Sequence, residues 1–133
     1  MNKVVKKKLE KDIQREICDW LFAQGYFFWR SNNVPIFDKK RMAFRALPKY
    51  TPRGLPDIMI IEKGKFIALE VKVPDFWKYT DAQKAIKEKI IDNGGYYFLV
   101  TSLDEAKNYM ESFFIPLTTI DPSKAIFSNW PQV

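Results

Sequence analysis

Three residues of this chain have the types and spacing to act on one another: Asp57, Glu70 and Lys72. Asp57 follows Gly54-Leu55-Pro56, twelve residues separate it from Glu70, and Lys72 lies two positions further on. The runs 57–62 and 65–73 read as β-strands, and Lys63-Gly64 between them reads as a hairpin turn. A two-residue loop sets Glu62 against Lys65 and, counting back, Asp57 against Glu70. Side chains alternate along a strand, so Glu70 and Lys72 share one face while Ile67, Leu69, Val71 and Val73 form the other, apolar one. A three-residue loop with a bulge at Gly64 would instead shift the pairing by one.

Two carboxylates facing each other across strands repel. A cation between them reverses the sign of that interaction, and Mg²⁺ takes one or two carboxylates together with waters and phosphate oxygens. A lysine beside such a pair completes what metal-assisted phosphodiester hydrolysis needs. The metal polarises the phosphate and acidifies water, and the lysine orients that water and offsets charge. Spacing alone leaves a plain alternative open, a charged strand end with no site.

Composition narrows the chemistry from the other side. The 133 residues include no histidine. That excludes Ser-His-Asp and Cys-His catalysis, a histidine general base and any His-containing zinc site. The single cysteine, Cys18, excludes an intramolecular disulfide and a Cys-rich zinc site, and reads as a small helix residue near the core. What remains is carboxylates, lysine, hydroxyls or a metal held by oxygen. With 47% hydrophobic and 16% aromatic residues the chain can build one core, and its length suits a single domain over 1–133. The N-terminal stretch MNKVVKKKLEKD has no signal-peptide core. No apolar run approaches the roughly 20 residues that span a bilayer. The expectation is a soluble intracellular protein with no membrane association.

The net charge of +6 is unevenly placed. Residues 1–53 hold 13 basic and 5 acidic groups, a net +8, against 9 and 11, a net −2, in 54–133. Residues 39–53 hold six basic groups and no acidic one. Concentrated positive charge suggests a polyanionic partner; incidental lysines on a solvated loop are the alternative.

The elements that must position these groups follow from periodicity. Leu9, Ile13, Ile17, Trp20 and Leu21 define one face of a helix over 9–24, with Gly25 as its stop. A strand follows at 26–30. Residues 31–53, with Asn32, Asn33, Pro35, Pro48 and Pro52, read as a long loop or loose hairpin, the kind that is often functional. After the central hairpin come a helix over 80–92 ended by Asn93-Gly94-Gly95, a buried strand at 96–101, and a helix from 102 to about 113 opened by the capping box Ser102-Leu103-Asp104-Glu105. The tail 114–133 is ambiguous. The order α-β-β-β-α-β-α indicates an α/β domain, a mixed sheet flanked by helices.

These residues carry a resemblance. Gly54-Leu55-Pro56-Asp57 and, twelve residues on, Glu70-Val71-Lys72 resemble the Pro-Asp…(Asp/Glu)-x-Lys nuclease superfamily. More closely, the chain resembles the virus-type replication-repair nuclease (VRR-NUC) family. The further matching features are Glu10 with Ile13-Gln14, Phe28-Trp29-Arg30-Ser31-Asn32, Arg53, Ile58, Thr80 with Gln83, and Gly94-Gly95. They span about residues 10–105. The resemblance implies a restriction-endonuclease-like core and a Mg²⁺- or Mn²⁺-dependent endonuclease. It makes Asp57 and Glu70 metal ligands with the Val71 carbonyl as a third, and Lys72 the catalytic lysine. Glu10 would bring a further carboxylate from helix one, directly or through a water, and Gln83 would line the site. Stand-alone members are often homodimers acting on branched DNA, four-way (Holliday) junctions included, in replication, repair or recombination. The place of action would be the cytoplasm or nucleoid, or a host cell if the chain is virus-encoded.

Some of these residues also have simpler readings. Glu10 suits the first turn of a helix through the helix dipole. Gln83 ends the capping box Thr80-Asp81-Ala82-Gln83, a role compatible with lining the site. In the basic stretch, Arg30, Lys39, Lys40, Arg41, Arg45, Lys49 and Arg53 are candidates to hold a phosphate backbone. Phe37, Phe44 and Tyr50, interleaved with them, are candidates to stack on unpaired bases, or else pack the loop locally. Trp20, Trp29 and Trp77 read as core or core-edge. No helix-turn-helix or zinc finger is visible, so selectivity for DNA structure is expected over selectivity for sequence. The rival readings are a nucleic-acid-binding module without catalysis on the same fold, and a nuclease subunit active only with a partner.

Overall fold

A computed structural model describes residues 9–31, 37–74 and 78–113. The Lys6-Lys7-Lys8 run, Asn32, Asn33, Pro35, Trp77 and the tail 114–133 lie outside the described residues.

The chain runs α1 (Glu10–Gln24), β1 (Phe27–Arg30), β2 (Phe37–Asp38), β3 (Ala43–Phe44), β4 (Ile58–Glu62), β5 (Lys65–Val71), α2 (Asp81–Asp92), β6 (Tyr96–Val100) and α3 (Leu103–Ser112). β1, β4, β5 and β6 form one sheet in that order. β1 and β5 are antiparallel to β4, and β6 is parallel to β5. A parallel pair needs a crossover, and α2 supplies it. This is the expected mixed sheet flanked by helices. The stretch read as a loop or loose hairpin contains a small one of its own, β2–β3, joined through Phe37↔Phe44 and Asp38↔Ala43.

The central hairpin has the register that a two-residue turn dictates: Glu62↔Lys65, Ile60↔Ile67, Ile58↔Leu69. Lys63 and Gly64 both adopt positive φ, 49° and 81°, as a type I′ turn requires. Ile58, Ile60, Ile67, Leu69 and Val71 bury one face of the sheet against Ile13, Ile17 and Leu21 of α1 and Ala106 and Met110 of α3. Cys18 and Trp20 pack at the margin of that cluster, while Trp29 stays 38% exposed. α2 covers part of the opposite face, its Ile86 and Ile90 lying by Met59 and Phe66.

Local signals explain the ends. The Leu9 amide donates to the Asp12 carboxylate at 3.1 Å, opening α1. Thr80 and Gln83 close a full capping box on α2. The box expected at 102–105 is made by half: Ser102 accepts from the Glu105 amide, but the Glu105 carboxylate accepts from the Thr101 hydroxyl instead. That neighbouring hydroxyl competes successfully for the acid. Among the described residues no helix is long and apolar enough to cross a membrane.

Ile17 has no exposed surface, whereas the Phe22 ring is 80% exposed on the same helix. Ile17→Ala should therefore cost about 2–5 kcal/mol, and Phe22→Ala under about 0.5 kcal/mol. Urea unfolding followed by circular dichroism distinguishes the two.

Candidate active site

The site lies where β4 begins and β5 ends. Pro56 is fully buried just before Asp57, and the Ser31 amide donates to the Asp57 carbonyl at 2.9 Å, so the backbone at Asp57 is held from both sides. The Ile58↔Leu69 pairing makes Glu70 the next residue opposite Asp57. The Val71 amide donates to Asp57 Oδ2 at 2.7 Å across that gap. Asp57 and Glu70 are near enough for the Asp57 charge to oppose ionisation of Glu70.

Glu70 is only 2% exposed, the one charged residue in the buried set among the described residues. Its Oε1 accepts from Gln83 Nε2 at 2.9 Å and lies 3.6 Å from Lys72 Nζ. Its Oε2 is buried with no hydrogen-bond partner. Gln83 ties the site to α2. Its Oε1 accepts from the Thr80 amide at 3.0 Å and from Lys72 Nζ at 3.4 Å. Because the oxygen end faces two donors, the amide's NH₂ must face Glu70. The cap of the helix thus aims the side chain at the site, and both sequence readings of Gln83 hold at once.

Burial, then the neighbouring Asp57 charge, pushes the Glu70 carboxyl up to about 8, with Lys72 opposing. Burial raises Asp57 too, countered by the Val71 amide. Two adjacent acids that resist ionisation need positive charge that Lys72 does not fully supply.

Arg30 Nη2 donates to Gln14 Oε1 at 3.0 Å, linking β1 to α1, and its charge favours ionised Asp57. Gly54 sits against the start of α2 with φ +78°; a Cβ there would lie 2.6 Å from the Ala82 carbonyl carbon and 2.7 Å from the Gln83 nitrogen. This loop and helix are in backbone contact, which only glycine permits. A cleft of about 540 Å³ opens over the acids, lined by Asp57, Glu70 and Gln83 and, from the basic stretch, by Phe44, Arg45, Leu47 and Arg53. Arg45 and Arg41 lean on Asp38 at 3.8 and 3.9 Å. Lys39, Lys40 and Lys49 are exposed away from that lining, with the Lys49 ammonium 5.0 Å from the Tyr50 ring centre.

The structure thus brings together Asp57, Glu70, Val71, Lys72 and Gln83. Glu10 is half-buried at the first position of α1 and is not among the residues that line the cleft. No group of three Asp, Glu, Cys or His side chains able to hold a metal occurs among the described residues. Sequence reasoning missed two neighbours of the site, Tyr79 and Tyr97, whose rings lie 6.4 Å apart. Burial and the Glu70 charge raise both hydroxyls above their ordinary range, and the Tyr97 hydroxyl is buried without a partner. The pairing Ala68↔Tyr97 places Tyr97 on the Glu70 face. The run Tyr-Tyr-Phe-Leu-Val carries no sign of that register.

No protein-family model matches the chain, and no curated protein matches it. Among solved structures it is similar to one described as a "VRR_NUC domain protein", with TM-score 0.60 and 18% identity, covering 80% of this chain and 88% of that one. At that identity the likeness is one of fold. This chain therefore has the restriction-endonuclease-like fold of that domain, as the motifs led one to expect.

Two measurements check this geometry. Gly54→Ala should destabilise by about 1–3 kcal/mol, from the left-handed backbone and the clash with α2. The second concerns pH. Between about 4.5, the ordinary Glu value, and about 8, the folded protein keeps a proton on Glu70 that the unfolded chain has released. Without added metal, stability should fall as pH rises through that window, with the penalty complete above it. Glu70→Gln should flatten much of the slope; a urea midpoint that rises with pH in the parent would contradict the assigned environment.

Proposed function

We propose that this chain is a divalent-cation-dependent DNA nuclease of the virus-type replication-repair family, cutting phosphodiester bonds at Asp57, Glu70 and Lys72. The observation that carries the reading is the acid pair, Asp57 half-buried and Glu70 buried with an unpartnered Oε2 and an ammonium 3.6 Å from its other oxygen. A buried carboxylate oxygen without a donor is costly unless something positive meets it.

That donor set suits a hard cation such as Mg²⁺ or Mn²⁺: two carboxylates close together, with oxygen donors and, in a chain without histidine, no imidazole. Asp57 and Glu70 would hold the ion, with the Val71 carbonyl next along the strand as a third donor. Bound there, it supplies Lewis acidity toward a phosphate oxygen and toward water.

The remaining roles belong to the chain. Lys72, 12% exposed and 3.6 Å from Glu70, would hold the attacking water by hydrogen bonding and offset charge growing on the phosphate. Gln83 fixes Glu70 and Lys72 relative to each other through one amide, so neither must reorganise as charge develops. Arg45 and Arg53, on the cleft wall, hold the backbone of the DNA, and Lys39, Lys40, Arg41 and Lys49 extend that hold by long-range attraction. Arg30 stabilises ionised Asp57. Glu10 adds a further carboxylate from α1, directly or through a water. A preference for branched DNA, junctions included, and assembly as a homodimer belong to the same proposal, resting on the family resemblance.

The test is cleavage of labelled duplex, flap, splayed and four-way-junction DNAs with Mg²⁺, Mn²⁺ or EDTA. Cutting should require the metal, and Glu70→Gln and Lys72→Ala should each lower kcat by about 10²–10³-fold. No cutting of any substrate, or full activity in both variants, would sink the nuclease reading in favour of a binding module. In binding assays, Arg45→Ala and Arg53→Ala should each reduce the slope of log K against log salt by about one.

A further inference from the structure

We propose that the cleft beside the acid pair binds an unpaired nucleobase, so that the substrate is DNA with an unpaired base next to the scissile bond and not intact duplex. The inference rests on the nuclease reading above for the position of that bond, and on the opposite wall of the cleft for the base.

That wall is the basic stretch, and its contribution is partly apolar. Phe44 and Leu47 line the cleft together with Arg45 and Arg53, facing a space that Asp57 and Glu70 also line. Phe44 is 66% exposed and Leu47 43%. A site for phosphate alone is built of cations and N–H groups; an exposed ring and a leucine add nothing to it and remain hydrated at a cost. The cleft, about 540 Å³, falls among the sizes of small-ligand sites, about 300–1,000 Å³. One phosphodiester group leaves most of it unfilled. Cations for phosphates, carboxylates for the bond to be cut and an apolar aromatic surface beside the cations match one chemical object, a nucleotide with its base turned outward.

The ring is held ready. Phe44 pairs with Phe37 across β2–β3, and the two rings meet edge-on at 5.4 Å and 75°. The second face of Phe44 therefore needs little ordering on binding. Base-on-aromatic stacking is sequence-tolerant because every base has such a face. In a continuous duplex those faces are covered by neighbouring bases, and turning one out costs pairing and stacking; a base already unpaired escapes that cost.

The experiment uses the whole parent protein in EDTA, so that nothing is cut. Affinity and fluorescence are measured for two duplexes carrying 2-aminopurine, one with it in a single-nucleotide bulge and one with it paired. The bulged duplex should bind about tenfold tighter or better, with its fluorescence quenched. Phe44→Ala should bring the ratio close to one. Leu47→Ala, which leaves the Phe37–Phe44 pair in place, should lower it in the same direction. Phe22→Ala, which removes a still more exposed ring on α1, should keep it. Equal affinities in the parent, a ratio that survives Phe44→Ala, or one that Phe22→Ala also abolishes would overturn the proposal. The two readings fail separately. A bulge preference without metal-dependent cutting removes the nuclease and keeps the base site, and cutting without the preference removes the base site alone.

Discussion

Everything near the centre of this fold answers to one unfavourable contact, the approach of Asp57 and Glu70 in a place where water does not reach Glu70. Left alone, such a pair would separate or take up a proton. Here neither acid can move away. Glu70 is a residue of a strand whose neighbours Leu69 and Val71 are fully buried, and Asp57 is pinned by the Val71 amide on one side and by Ser31 on the other. The hydrophobic core stabilises the sheet, and the sheet in turn enforces the repulsion. A local cost held in place by global packing is the arrangement that the proposed cation site would require.

Second in importance is the way α2 is joined to that pair. Helices commonly begin with a capping box, and here the same glutamine that completes the box also donates to Glu70. Gly54 lets the loop before Asp57 lie directly against the helix's first turn. Helix start, loop and acid pair therefore form one unit, in which a change to any member shifts the others. Additivity among substitutions at Gly54, Gln83 and Glu70 is not expected, since they share partners.

The basic stretch stands apart from this unit in composition and in burial. From Phe37 to Tyr50 only Asp38 is even half-buried, and the short β2–β3 ladder together with the Phe37–Phe44 contact gives the stretch its shape. It contributes charge and apolar surface to a cleft whose chemistry is supplied by the sheet. Under the proposed function, scaffold and reader are thus separate, as is common where loops carry recognition on a rigid frame.

How far the sequence reached can be judged residue by residue. Lys63-Gly64 allowed a two-residue turn or a bulged three-residue loop; the structure has the first, and with period-two alternation that sets Asp57 against Glu70, because hairpin register is a local property. Thr80 and Gln83 announced their helix start for the same reason, and the spacing of Ile13, Ile17 and Leu21 announced the buried face of α1. What the sequence could not decide involves contacts between distant segments. The parallel register that puts Tyr97 on the Glu70 face depends on how α2 carries the chain across the sheet. The Thr101 hydroxyl took the Glu105 carboxylate from its expected cap. That Phe44 and Leu47 wall the cleft over the acids follows from where the basic stretch folds back. Short-range geometry is encoded in residue order, whereas the meeting of separate elements is settled by the packing of the whole chain.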